Sequence, residues 1–276
     1  MRDLSRDLQW LAINTATVKS WSLEQAIEGC ARAGIGAIAP WRDIVQACGP
    51  ARAGKLIRAS GLTVTCLCRG GMFTAADAAG RRSALEDNRR ALEEAAEIGA
   101  GSLVLVVGGL PPGSKDIAGA HRQVRDGIAE LLPYARAAGI PLALEPLHPM
   151  TAADRACVNT LAHANDLCDE LGEGLGIALD VYHVWWDHDL PRQIVRAGRR
   201  IISYHVCDWL VPTRDLVFDR GMPGDGIIDL RRIRELVEAA GYSGHCDVEV
   251  LSAQNWWKRD PAEVLRICIE RHQTVV

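Results

Sequence analysis

The sequence predicts an α/β protein, a (β/α)8 TIM barrel formed as a single domain over residues 1–276, and three observations predict it. Short apolar runs alternate with longer amphipathic segments rich in Ala, Leu, Glu and Arg, and this rhythm holds from end to end. Eight such pairs fit in 276 residues with no Pro/Ser-rich linker and no charge run, which is the length and cadence of an eightfold barrel. The apolar runs are continuous rather than alternating, as strands buried on both faces are. A doubly wound open sheet would want a glycine fingerprint after the first strand, and NTATVKSW (14–21) has none.

In chain order the strands are LAINT (11–15), IGAIAPW (35–41), LTVTCLC (62–68), SLVLVVG (102–108), PLALEP (141–146), GIALDVY (176–182), IISYHVC (201–207) and CDVEVL (246–251). The helical segments between them are SLEQAIEGCARAG (22–34), a stretch over 43–59, RRSALEDNRRALEEAAEIGA (81–100), IAGAHRQVRDGIAELLPYARAAG (117–139), NTLAHANDLCDELG (159–172), PRQIVRAG (191–198), DLRRIRELVEAAG (229–241) and PAEVLRICIERH (261–272). Gly34, Gly99, Gly139 and Gly241 each stand where a helix must stop before the next strand, the usual place for a left-handed C-terminal cap.

A formal charge of −4 gives no electrostatic reason to expect nucleic acid or an anionic membrane as partner. A small-molecule ligand is expected instead. Nine cysteines include no CxxC pair, and Cys66, Cys68, Cys207 and Cys246 lie inside apolar runs, where they serve as small hydrophobes in a reducing, cytoplasmic setting. The N-terminal MRDLSRDLQWLAINTATV has no uninterrupted apolar core of a signal peptide, and no stretch reaches membrane-spanning length. A soluble, cytoplasmic protein is expected.

Function in such a barrel gathers where the strands end at the C-terminal face. The last four strands each carry one metal-competent side chain there: Glu145 in LALEP, Asp180 in IALDVYH, His205 in ISYHVCD and Glu249 in DVEVL. Neighbouring strands lie about 4.7–4.9 Å apart, so residues at matching heights converge. Taken singly, an Asp or Glu at a strand end is ordinarily a helix N-cap or the partner of an Arg, and a His there a hydrogen-bonded core residue. Three carboxylates at one point need a compensating cation. The four together therefore predict one divalent metal, with Mn2+ or Mg2+ suited to an oxygen-dominated set and Co2+ or Zn2+ admitted by the imidazole.

The pattern EPLHP, LDVYH, HVCDW, a PGDG loop and DVE resembles the xylose isomerase-like barrel superfamily of sugar isomerases and epimerases, which includes ketose 3-epimerases and inosose-processing enzymes. The correspondence covers about 140–252 well and the first half only through its βα rhythm. The resemblance implies that Glu145 and Glu249 bind the metal and exchange protons with substrate, and that His183 touches substrate. It implies isomerase or epimerase chemistry on a keto sugar or sugar derivative, through α-proton abstraction and a metal-stabilised enediolate. A lyase or dehydratase acting on an oxidised sugar or glycoside through the same intermediate is the alternative.

Trp41 ends the second strand, and Trp185, Trp186, Trp209, Trp256 and Trp257 follow later ones, in a chain with only two Phe and four Tyr. They are expected either to stack on a sugar, Trp41 and Trp185 above all, or to pack loops or a homo-oligomer contact. The long Gly- and Pro-rich connection VPTRDLVFDRGMPGDG (211–226) offers Arg214 and Arg220 either to substrate oxygens or to ion pairs with Asp215, Asp219 or Asp225, and His148 in EPLHPM either reaches the site or caps a turn. An endonuclease IV-like nuclease would draw further ligands from the middle strands, and TCLCRGG and VLVVGGL supply none on this reading. A non-catalytic sugar-binding barrel would have no need of two glutamates.

Overall fold

The computed structural model describes residues 2–276. Its strands are β1 (Leu11–Asn14), β2 (Ala37–Ala39), β3 in two segments (Thr63–Val64 and Leu67–Gly71), β4 (Leu103–Val106), β5 (Leu142–Leu144), β6 (Leu175–Asp180), β7 (Ile201–Val206) and β8 (Cys246–Val248). These barrel strands pair in parallel, and outside the barrel Asp208–Trp209 pairs antiparallel with Arg220–Gly221. The barrel closes through β3: its first segment pairs with β2 (Ala37 beside Thr63) and its second with β4 (Leu67 beside Leu103). The predicted (β/α)8 barrel is the observed fold.

The helices are α1 (Leu23–Arg32), α2 (Arg42–Cys48), α3 (Pro50–Ser60), α4 (Ala78–Ile98), α5 (Ile117–Ala138), α6 (Leu161–Leu171), α7 (Val181–Val184), α8 (Leu190–Ala197), α9 (Leu230–Ala239) and α10 (Pro261–Thr274). Gly99 and Gly139 cap α4 and α5 in the left-handed conformation, as their positions predict. The single helix expected over 43–59 is two, because Gly49 takes φ 87° and Pro50 has no N–H to continue a helical ladder. The short α7 was not anticipated: the apolar run continues past Asp180, but Asp180 Oδ1 accepts from the Tyr182 N–H at 2.9 Å and turns the chain into a helix. No helix of the described residues is long and apolar enough to cross a membrane.

The continuous hydrophobicity of the strands resolves by size. Large side chains such as Ile13, Ile38, Leu105, Leu144, Ile177 and Leu179 point outward into the main core beneath the helices. Small ones (Ala39, Cys66, Cys68, Val104, Ala143 and Ala178) make a separate cluster within the barrel. Side chains of a strand alternate between faces, so Glu145, Asp180, His205 and Glu249 share the inward parity of Ala143, Ala178, Ser203 and Asp247. Glu145 and Glu249 each lie one residue past their strand, yet their N–H groups still donate across the ladder, to Leu105 O (3.2 Å) and Val206 O (3.1 Å).

The seam strand is held by a buried side chain from a helix. Asn88 of α4 donates from Nδ2 to Gly71 O (2.7 Å) and accepts from the Gly71 N–H at Oδ1 (2.6 Å), which pins the end of β3. Asn88→Leu strands these two buried backbone groups, at about 1–3 kcal/mol each. The expected result is a lower urea midpoint with an unchanged slope; an unshifted midpoint would show that the groups find other partners.

Candidate functional site

The four predicted ligands converge. Glu145, Asp180, His205 and Glu249 are all buried, and each offers a ligand atom within 4.8 Å of the others. Register explains the meeting, since Asp180 and His205 are paired neighbours on β6 and β7 while the two glutamates close in from β5 and β8. His205 Nδ1 faces Glu145 Oε1 at 3.4 Å and Glu249 Oε2 at 3.8 Å, and this buried nitrogen has no hydrogen-bond partner.

Two ordinary roles for Asp180 hold at the same time. One oxygen caps α7, and the other accepts from Arg220 NH1 at 2.7 Å. The same guanidinium nitrogen reaches Glu249 Oε2 at 3.1 Å. Burial pushes the Asp180 carboxyl up, but Arg220, His183 and His205 outweigh it and hold it below the usual range. Glu249 is less compensated: burial, with Glu145 and Asp180 nearby, pushes it up to about 7 despite Arg220 and His205. Three carboxylates thus meet one guanidinium, a deficit of two positive charges if His205 is neutral. Without a metal ion that deficit draws a proton to the imidazole: burial disfavours the charge, yet the acceptors around His205 raise it well above an ordinary histidine. The charge deficit, the acid-rich donor set and the orphaned Nδ1 fit a divalent cation held by these four residues.

Below this layer, His205 Nε2 lies 2.9 Å from Ser203 Oγ, 3.7 Å from Asp247 Oδ2 and 3.8 Å from Cys66 Sγ. Cys66, His205 and Asp247 form a second group close enough to hold an ion. This corrects the expectation that the middle strands offer no ligand, because Cys66 comes from the break in β3. Neither Cys66 nor Asp247 stood out in the sequence, since a Cys in an apolar run passes as a hydrophobe and Asp247 sits one inward position before Glu249.

The pocket above the four ligands has an empty volume of about 500 Å3, its open mouth included, and is lined by Trp41, Arg69, Glu145, Arg155, His183, Arg220 and Glu249 with Val104, Val106, Leu147, Leu216, Val217 and Leu251 among its apolar walls. Trp41, His183 and Arg220, named in the sequence as substrate contacts, are among these lining residues. His183 Nδ1 accepts from the His148 N–H at 3.1 Å, and burial pulls its pKa down to about 4. A neutral ring with Nδ1 accepting must carry its proton on Nε2. Its 3.2 Å approach to Arg220 NH2 is then a contact between two donors, not a hydrogen bond.

Three expected substrate contacts lie outside the pocket lining. Arg214 forks onto Asp219 (3.0 and 2.9 Å) with its own side chain 60% exposed. His148 stacks on Trp209 at 4.9 Å and acts on the site through its backbone. Trp185 packs against Trp209 at 5.6 Å. The other tryptophans also brace loops: Trp186 donates to His183 O, Trp256 to Asp225 and Trp257 to Ala16 O. Only Trp41 among the six lines the cavity, and its indole N–H donates to Asn14 Oδ1 at 2.8 Å while Asn14 Nδ2 donates to Glu249 Oε1 at 3.0 Å. Asn14, Arg69 and Arg155 escaped the sequence reading because Asn or Arg near a strand end and Arg in a turn are common on any surface.

A solved structure, protein SMc04130 from Sinorhizobium meliloti 1021, is 58% identical and superposes with a TM-score of 0.96 over 98% of this chain and 99% of that one. The IolI protein, solved with a bound zinc atom, is 20% identical with a TM-score of 0.80 over 95% of each chain. Among curated proteins, L-ribulose-5-phosphate 3-epimerase UlaE of Shigella flexneri serotype 5b (strain 8401) is 27% identical over 150 residues, 54% of this chain. The chain spans about half the length of the curated relatives it matches, 49% in that case. The family profile described as xylose isomerase-like TIM barrel matches residues 27–268. With a profile match over most of its length and three inward acids and an imidazole at its strand ends, the chain belongs to the xylose isomerase-like TIM barrel family.

Proposed function

We propose that the protein is a divalent-metal-dependent sugar epimerase or isomerase that moves the proton on the carbon next to a carbonyl. The observation that carries this is the pairing of Glu145 and Glu249: both line the pocket, and both face His205 Nδ1. One acid suffices to remove a proton; two flanking the same cavity allow removal from one side and return from another, which inverts a centre. The sugar epimerase UlaE is a sequence relative, a ketose 3-epimerase shares the fold, and both support the same class.

In this reading Glu145 and Glu249 exchange protons with substrate, and Arg220 steadies the Glu249 carboxylate while satisfying Asp180. His183, locked as the Nε2–H tautomer, donates to a substrate oxygen. Trp41 lays an apolar face along the sugar, and Leu216, Val217 and Leu251 keep water from the reacting carbon. Glu145, Asp180, His205 and Glu249 hold the metal, with Mn2+ first for a set of three carboxylates and one imidazole. When bound, the ion supplies Lewis-acid polarisation of the carbonyl and compensation of the negative charge that develops on proton removal.

Three outcomes are expected. Metal-stripped protein should take up one Mn2+ per chain and gain about 2.7 kcal/mol of stability at a hundredfold excess over Kd; Asp180→Asn should lose that uptake, and unchanged uptake would place the ion elsewhere. With metal-loaded enzyme and a panel of ketoses in 2H2O, Glu145→Gln and Glu249→Gln should each slow α-deuterium incorporation, read by mass spectrometry, by about 10²–10⁴-fold. Undiminished exchange in either variant removes that glutamate from the chemistry. In metal-free protein, Arg220→Met should cost about 3–5 kcal/mol in urea unfolding, because it leaves Asp180 and Glu249 buried without their cation. Mn2+ should restore part of that loss.

A further inference from the structure

The pocket holds more positive charge than the proposed proton chemistry uses. Arg69 rises from the end of β3, and Arg155 from the turn that follows the short Pro149–Thr151 helix after β5; both line the cavity above Glu145. Among the described residues neither guanidinium makes a hydrogen bond or an ion pair, and Arg69 Nε is buried with no partner. The nearby Arg42 shows what a settled arginine looks like here: it forks onto Asp87 at 2.8 Å and Glu94 at 2.7 Å. Arg220 is likewise matched, to Asp180 and Glu249. The acids that line the pocket are Glu145 and Glu249, and both are turned to the His205 centre.

An unmatched, partly buried guanidinium is costly to keep and two together repel. Burial and then the charge of Arg155 draw the Arg69 pKa below the usual guanidinium range. Guanidinium forks match the planar, paired oxygens of a carboxylate or the oxygens of a phosphate ester. Resting on the reading of the cavity as a sugar site, we propose that Arg69 and Arg155 form a subsite for an anionic group, carboxylate or phosphate monoester, carried by the sugar whose reacting carbon lies at Glu145 and Glu249. The substrate class is then an acidic keto sugar or a ketose phosphate, not a neutral ketose.

The test pairs binding with selectivity in Mg2+-loaded protein. Inorganic phosphate and glycolate are titrated by calorimetry into wild type, Arg69→Met, Arg155→Met and the double variant, with glycerol as the neutral control. Wild type is expected to bind at least one of the two anions at least tenfold more tightly than the double variant does, with glycerol unaffected. The anion that shows the loss separates a phosphate from a carboxylate specificity. In the exchange assay, the ratio of kcat/KM for anionic over neutral ketoses should fall at least tenfold in the double variant. If no ketose exchanges protons at all, the function reading fails, while arginine-dependent anion binding would still support the subsite. Equal anion affinity in wild type and double variant overturns the subsite whatever the enzyme does. Urea midpoints supply a control that does not depend on a ligand: neither single variant should be destabilised, and a clear loss in Arg69→Met would assign Arg69 a structural partner and overturn the proposal.

Discussion

The site depends on one electrostatic constraint: three inward carboxylates and an imidazole are packed at the mouth of a barrel with a single guanidinium among them. A buried anion without a counter-charge is costly, so every neighbouring feature is arranged around that shortage. Asp180 divides its two oxygens between a helix N-terminus and Arg220. Asn14 donates to Glu249, and His205 turns one nitrogen to Ser203 and leaves the other open toward the glutamates. A polar group anchored on one side and free on the other is how a ligand atom is held ready for a cation.

The barrel makes room for this by keeping its interior small. Alanines, cysteines and Val104 fill the inward positions, while the Leu and Ile side chains of the same strands go outward under the helices. That division lets Cys66, Asp247 and His205 sit in one layer and the four acid and imidazole ligands in and above it. The break in β3 contributes too, since the closing strand changes partners there and brings Cys66, Cys68 and Arg69 around the same axis.

Above the barrel, the loops are built as an aromatic stack with a cationic end. His148 lies on Trp209, Trp209 on Tyr182, and the Arg220 guanidinium over the Tyr182 ring at 4.5 Å. Trp185 flanks the same indole. The stack fixes two groups that face the cavity: Arg220 through its ring contact, and His183 through the His148 N–H that sets its tautomer. Tryptophans outside the cavity in this way act on it through rigidity, by limiting where Arg220 and His183 can go.

The amino-acid sequence by itself determined the barrel, its helix stops and the four strand-end residues that converge. These follow from local rules: hydrophobic continuity, glycine at helix ends, and one polar residue at the same inward parity on each of four successive strands. Trp41, His183 and Arg220 also stand at the cavity the sequence pointed to. What only the tertiary structure decided was which of the remaining polar and aromatic residues face inward. Arg214 and Arg220 lie in one connection, yet the exposed Arg214 is spent on Asp219 while the buried Arg220 reaches the acids. Likewise Asn14, Cys66, Arg69 and Arg155 come from segments with no local signature of function, and they meet one another and Asp247 only because the ring closes. Loop side chains choose their partners by long-range charge and packing, and those distances do not exist until the strands have come together.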